Sequence, residues 1–324
     1  MKTSNHLLRR LTAALLAAVL ALSIALPVFA SDDGDTIYIN SVSDLLSLAR
    51  NCAYDQWSVG KTVILQKDLS LEGMLWEPIP SFSGQFKGNG HTISDLTITG
   101  QYSPAGLFGI VEEQGSIESL SVRGVVSVSD SADTTTGGIV GINHGTLISC
   151  QFTGVVTGDS EVGGIVGRNE SEGTIDHSTA RAIVTGKSST GGIAGYNLGA
   201  ITGCTNVGSI NTEYPEASLD TDGFTAKMVD YINNKMAAAD DDATNSVTNV
   251  ATDTGGIAGR SSGMILTSVN TGTIGYEHVG YNVGGIVGRT DGLVSGCVNQ
   301  GRVLGRKDVG GIAGQAEPYR ELDL

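Results

Sequence analysis

"TGGIVGIN", Thr136 to Asn143, returns in altered form five more times along this 324-residue chain. The Gly-Gly doublets begin at Gly137, Gly163, Gly191, Gly255, Gly284 and Gly310, at intervals of 26, 28, 64, 29 and 26 residues. A degenerate earlier copy is "GLFG", Gly106 to Gly109. A fixed period in the range of roughly 20–50 residues is the mark of a solenoid. One such unit is too short to bury its own apolar face, so its copies must stack.

After each doublet comes a short β-type run, then a turn glycine: Gly115, Gly145, Gly173, Gly199, Gly263 and Gly292. Two residues beyond that glycine stand Ile117, Leu147, Ile175, Ile201, Ile265 and Val294. Five beyond stand Leu120, Cys150, Ser178, Cys204, Ser268 and Cys297, and seven beyond stand Val122, Phe152, Ala180, Asn206, Asn270 and Asn299. Eleven beyond stand Val126, Val156, Val184, Ile210, Ile274 and Val303. Such columns of like residues require coils lying directly above one another, about 4.8 Å apart. No helical 3.6-residue period runs through them, which disfavours helical and leucine-rich solenoids. The expected fold is all-β, a right-handed parallel β-helix. The Gly-Gly pair belongs at a tight place, where either φ > 0 or a close backbone approach excludes a Cβ.

"GGIVG" and "GGIAG", with the "G-x-I-x-x-C-x-N-x-G" element that follows, resemble the GLUG repeat of bacterial secreted and surface proteins. "FKGNGHTISDLTI", Phe86 to Ile98, looks like the leading coil of such β-helices in the pectin-lyase-like superfamily. The resemblance covers about residues 62–315. It implies surface display and adhesion and says little about any reaction.

The first thirty residues read as a secretory signal. Lys2, Arg9 and Arg10 precede an apolar run from Leu11 to Leu26, and Val28-Phe29-Ala30 supplies a small-x-small cleavage site. That run is short for a membrane span, which needs about 20 residues. Cleavage takes the net charge from −15 to −18. A chain this acidic repels nucleic acid and anionic membranes. The expected location is therefore secreted, extracellular or cell-surface, with no integral membrane segment after cleavage. Aromatic residues are only 5% and glycines number 46, consistent with many tight turns around a small-residue core.

The remaining organisation follows from local pattern. Residues 31–61 form an N-terminal cap, in which "SVSDLLSLARNC" (Ser41 to Cys52) is an amphipathic helix capped by Ser41 or Ser43. Residues 62–315 form the β-helix. The 64-residue interval carries an insertion at 212–253, where Met228, Tyr231, Ile232 and Met236 recur at helical spacing. Residues 316–324 begin a C-terminal cap or a further region, and a stack left open there is expected to self-associate.

Few residues carry chemistry. Cys150 and Cys204 are separated by the Ser178 coil, hence by about two 4.8 Å steps, beyond the ~7 Å reach of a disulfide. All the cysteines of the column read as buried free thiols. No zinc spacing or calcium loop is present, and no cofactor or metal is expected. Asn206, Asn270 and Asn299 read as a ladder of stacked amides. The densest polar stretch, "RNESEGTIDHSTAR", supplies the weak catalytic candidates Glu170, Glu172, Asp176, His177 and Arg181, since paired carboxylates can work on a glycosidic bond. Arg168, Arg260 and Arg289 follow the last glycine of their motifs and could face an anion or a glycan. The reading these features favour is a non-catalytic adhesion or ligand-binding scaffold, its partner an extracellular glycan or a host or cell-surface protein. The alternatives are a β-helix polysaccharide lyase or glycoside hydrolase, and a passive stalk for another domain.

Overall fold

Each repeat folds as one coil, because its short β-runs are separated by residues that turn the chain. In one coil these runs are Val166–Asn169, Thr174–Asp176, Thr179–Thr185 and Ser188–Gly191. They belong to four parallel sheets, numbered 1 to 4 in that order, of eight, nine, nine and six strands. This is a right-handed parallel β-helix, seen here in a computed structural model that describes residues 35–54, 56–128, 134–212, 251–277 and 279–317. Thr36–Leu324 forms one unit. The signal segment, the helix expected near residues 228–236 and the C-terminal residues from 318 lie outside the described residues. The described end of the insertion is extended, since Thr252–Gly255 is already a strand of sheet 4.

The columns hold in register. Ile117, Leu147, Ile175, Ile201, Ile265 and Val294 pair in succession along sheet 2, and all but Val294 are fully buried. Val126, Val156, Val184, Ile210, Ile274 and Val303 do the same along sheet 3. At the N-terminal end the core is aromatic: Phe82, Phe86 and Phe108 pack with ring centroids 5.4–6.3 Å apart.

The structure decides between the two explanations for the Gly-Gly doublets. None of them adopts a left-handed φ; the left-handed glycines stand elsewhere, among them Gly203 and Gly296. The doublet glycines from Gly137 to Gly310 are demanded by close approach. A Cβ on Gly191 would fall on the carbonyl oxygen of Ala194, and one on Gly192 on the carbonyl oxygen of Gly256 in the next coil. The motif's third glycine is crowded too: a Cβ on Gly195 would meet the backbone of Glu161 and Val162 in sheet 4.

The Cys/Ser column is more than filler. The Cys150 N–H donates to Ser178 Oγ (3.1 Å), the Ser178 N–H to Cys204 Sγ (3.4 Å), and the Cys204 N–H to Ser268 Oγ (3.2 Å). Each side chain then donates to a carbonyl two residues back in its own coil. Only a small side chain with both a donor and an acceptor can do this. All four cysteines are free. Cys297 is half-buried rather than buried, because the described residues put no further coil above it in this column.

Helix α1 (Val42–Asn51) follows the first strand of sheet 2 (Thr36–Ile39). Ser41 is its N-cap, its hydroxyl accepting from the Asp44 N–H at 3.2 Å, while Asp44 reaches back to the Asn40 N–H at 2.9 Å. Leu45 and Leu48 join the core. The helix packs on Thr36–Ile39 and on Ile79–Phe82, the first strand of sheet 1. It thus covers apolar surface where the stack has not yet built all four walls.

Candidate functional site

The second residue after the motif's third-glycine position forms a buried row of its own. Asn143 Nδ2 donates to Asn169 Oδ1, and Asn169 Nδ2 to Asn197 Oδ1, each at 2.8 Å; Asn197 then donates to Ser261 Oγ at 3.0 Å. This amide ladder fixes the corner between sheets 1 and 2. A matching one in sheet 3 links Asn206, Asn270 and Asn299 at 2.8 Å steps. The first ladder was as legible as the second, in "GIN", "GRN" and "GYN".

The residues just before that ladder make a half-buried column on sheet 1: Ser81, Ile110, Ile142, Arg168, Tyr196, Arg260, Arg289 and Gln315, paired coil by coil. All three candidate arginines are in it, and Arg260 and Arg289 occupy adjacent coils. Tyr196 stands between two of them, with the guanidinium carbons of Arg168 and Arg260 at 5.0 and 5.3 Å from its ring centroid. The arginines differ in their partners. Arg168 is held by Glu161 and Glu170, each at 2.6 Å. It is partly desolvated, but these two carboxylates prevail and hold its pKa above the ordinary value. Arg289 pairs with Glu317 at 2.5 Å. Arg260 has no carboxylate partner among the described residues and keeps its guanidinium on the Tyr196 ring.

The catalytic candidates are spread around the coil, because one coil circles the whole cross-section. Glu170 and Glu172 lie in the turn between sheets 1 and 2, Asp176 is in sheet 2, His177 is at the next corner, and Arg181 is on the exposed side of sheet 3. The acidic ones and His177 each have their own company. Glu170 is bound to Arg168, and Glu172 accepts from Ser171 at 2.6 Å, which lowers its pKa. Asp176 sits 2.8 Å from His177 Nδ1. His177 has φ 46° and shares its corner column with Ser119, Ser149, Gly203, Thr267 and Gly296, all left-handed. Its placement serves the turn. The register neighbours of Asp176 are Ile148 and Thr202, so no second carboxylate faces it across a coil step.

A second feature lies in the turn lengths, of which the extra length of the "ESEG" coil is legible in the sequence and the cleft is not. The turns "EEQG" and "ESEG" are each two residues longer than the turns between them and beside them, as at "HG" (His144-Gly145). The protruding Glu112–Gln114 loop walls an open cleft of about 530 Å³ that also reaches Val59, Ser81, Ser83 and His144. Ser81 Oγ donates to Glu112 Oε1 at 2.8 Å. The turn lengths were the available signal.

No protein-family model matches the chain. It is 30% identical over 155 residues to halomucin of Haloquadratum walsbyi, covering 44% of this chain and 2% of that protein. It is 29% identical over 137 residues to a protein of Evansella cellulosilytica provisionally named a Gly-rich membrane protein, covering 31% of this chain and 16% of that one. The chain thus spans only a small part of the length of either relative. Among solved structures it is similar to a Bacteroides ovatus protein provisionally named an immunoglobulin A1 protease. The TM-score is 0.53 and the identity 16%, over 87% of this chain and 84% of that one. A structure named IgA1 protease is similar at TM-score 0.45 and 12% identity, over 91% of this chain and 21% of its own. The expectation of a chain without enzymatic activity is corrected by the first of these: the Bacteroides ovatus protein that shares the fold is provisionally named a protease. At 16% identity the likeness is one of fold, a parallel β-helix.

Proposed function

We propose that this chain is a GLUG-type β-helix of a secreted or surface protein, and that its sheet 1 face binds an anionic extracellular glycan. The observation that carries the reading is Arg260, a guanidinium stacked on Tyr196 beside Arg289 and without a carboxylate partner among the described residues of an acidic chain. A planar guanidinium offers paired N–H donors to a carboxylate or sulfate, and its aromatic support orients it in advance. Arg168 is already satisfied by two glutamates and serves to hold Tyr196 from the other side. The signal-like N-terminus and the likeness to halomucin support an extracellular setting.

The test is binding of polygalacturonate and of a neutral polysaccharide to residues 31–324. Polygalacturonate should bind in a salt-sensitive manner. Arg260→Ala should weaken it by about tenfold, the worth of one charge-assisted hydrogen bond, and Arg181→Ala on the far sheet should leave it unchanged. Equal binding of both polysaccharides, or an Arg260→Ala variant that binds normally, would refute the reading.

A further inference from the structure

The cleft beside the Glu112–Gln114 loop carries a second site, of opposite polarity, whose argument is independent of Arg260. We propose that it binds an amino sugar, through the free ammonium and the neighbouring hydroxyls. Ser83 is the first observation. It is 9% exposed and lines the cleft, its N–H is spent on Ser58 Oγ at 2.9 Å, and its own hydroxyl has no hydrogen-bond partner among the described residues. With no partner among the described residues, this hydroxyl is left to the open cleft, where a ligand hydroxyl can pair with it. The second observation is charge. Glu112 and Glu113 line the cleft, no Lys or Arg does, and His144 is the one basic ring on its wall. Glu112 accepts from Ser81 with one oxygen, which orients the carboxylate and leaves the other oxygen for a ligand.

The kind of cation follows from the remaining lining. No group of three or more His, Cys, Asp or Glu among the described residues is arranged to hold a metal ion. A lysine side chain would need an apolar channel for its stem, and the one large apolar side chain here is Val59. No Phe, Tyr or Trp lines the cleft, which leaves the His144 imidazole as the one ring on which a planar aromatic amine could stack. Hydroxyl and carboxylate groups set around an open space of about 530 Å³ suit one or two pyranose rings bearing an ammonium group.

The test is a calorimetric titration of residues 31–324 with the β-1,4 glucosamine disaccharide, its di-N-acetyl form, and a lysine-containing tripeptide. The free-amine disaccharide should bind saturably, and the neutral acetylated form at least tenfold more weakly. Glu113→Gln should weaken binding by about tenfold and Ser83→Ala several-fold, both with unchanged melting temperature. Glu172→Gln, on the neighbouring loop outside the cleft, should bind as the parent does. The proposal is overturned by the absence of saturable binding to the folded protein, by equal binding of the acetylated form, or by tighter binding of the tripeptide. It is equally overturned if Glu172→Gln loses as much as Glu113→Gln, which would reveal general acidic attraction in place of a site.

Discussion

At the scale of single residues, the side chains inside the coil act by hydrogen bonding as much as by volume. Ser178 is the clearest case, accepting from Cys150 and donating to the Asp176 carbonyl. Ser178→Ala strands a buried N–H and should cost about 1–3 kcal/mol. Ser178→Cys keeps both roles and should cost about 1 kcal/mol or less, as the alternating column already shows that a thiol fits. Urea melts of the two variants separate these outcomes; equal losses would mean that volume alone governs the column. The same burial governs reactivity. Desolvation pushes the thiols of Cys150 and Cys204 up to about 12 and that of Cys52 up to about 11. At pH 8 iodoacetamide should label native protein at Cys297 alone, and label all four sites once the protein is unfolded, as read by peptide mass mapping.

Elements are set by what the next coil allows. Gly192 and Gly311 hold the same place in their motifs, yet among the described residues only Gly192 has a coil above it. A Cβ at Gly192 would land on the Gly256 carbonyl and the Asn206 amide, whereas one at Gly311 meets nothing within 4 Å. Gly192→Ala should therefore cost about 3 kcal/mol or more, and Gly311→Ala about 0.5 kcal/mol or less. Comparable melting of the two variants would place the doublet's role in its local backbone instead of in stacking. Helix α1 is an element of another kind, held by its cap. The Asn40 N–H and then the Ser41 hydroxyl draw the Asp44 carboxyl below the ordinary carboxylate range. A carboxylate depressed in the folded state contributes stability above its unfolded pKa of about 3.9, and that contribution is lost as pH falls through the folded value. Circular dichroism melts of the parent and Asp44→Asn should therefore differ at pH 6 and draw together as the pH is lowered through the folded-state value of Asp44.

Across the whole molecule, protection should be graded. The N-terminal coils are closed by α1 and an aromatic core, and their inward residues are fully buried. In the last described coil the counterparts of buried core residues are open: Ile312 is 43% exposed, whereas Ile257 and Ile286 are 0%. Amide exchange should be slowest between Ile79 and Ile201 and fastest in residues 293–316, since backbone hydrogen bonds open where little apolar surface covers them. A flat profile along the stack would show that the coils unfold as one unit.

How much of this was legible follows from the parallel stack itself. Directly superimposed coils force every residue to meet its repeat counterpart, so a 26–29-residue spacing was enough to set the aliphatic, Cys/Ser and Asn columns in register. Each also had to be a residue that tolerates its own kind at about 4.8 Å. The amphipathic stretch after Ser41 announced the helix for the same local reason, a 3.6-residue apolar period with a capping hydroxyl. What only the tertiary structure decided lies across walls and turns, where no repeat relation exists. The glycines of the doublet could have been left-handed or crowded, and the facing carbonyls settled it. "RNESEGTIDHSTAR" is one dense string, yet the coil carries Glu170 and Arg181 to different walls, because a circuit of the helix separates residues that sequence sets side by side. Conversely, Val59, Ser83, Glu113 and His144 are remote along the chain and line one cleft, and Arg260 differs from Arg168 in that no glutamate among the described residues pairs with it. A column is a property of the repeat; a site depends on which exceptions to the repeat are brought together, and that is set by the path of the chain in space.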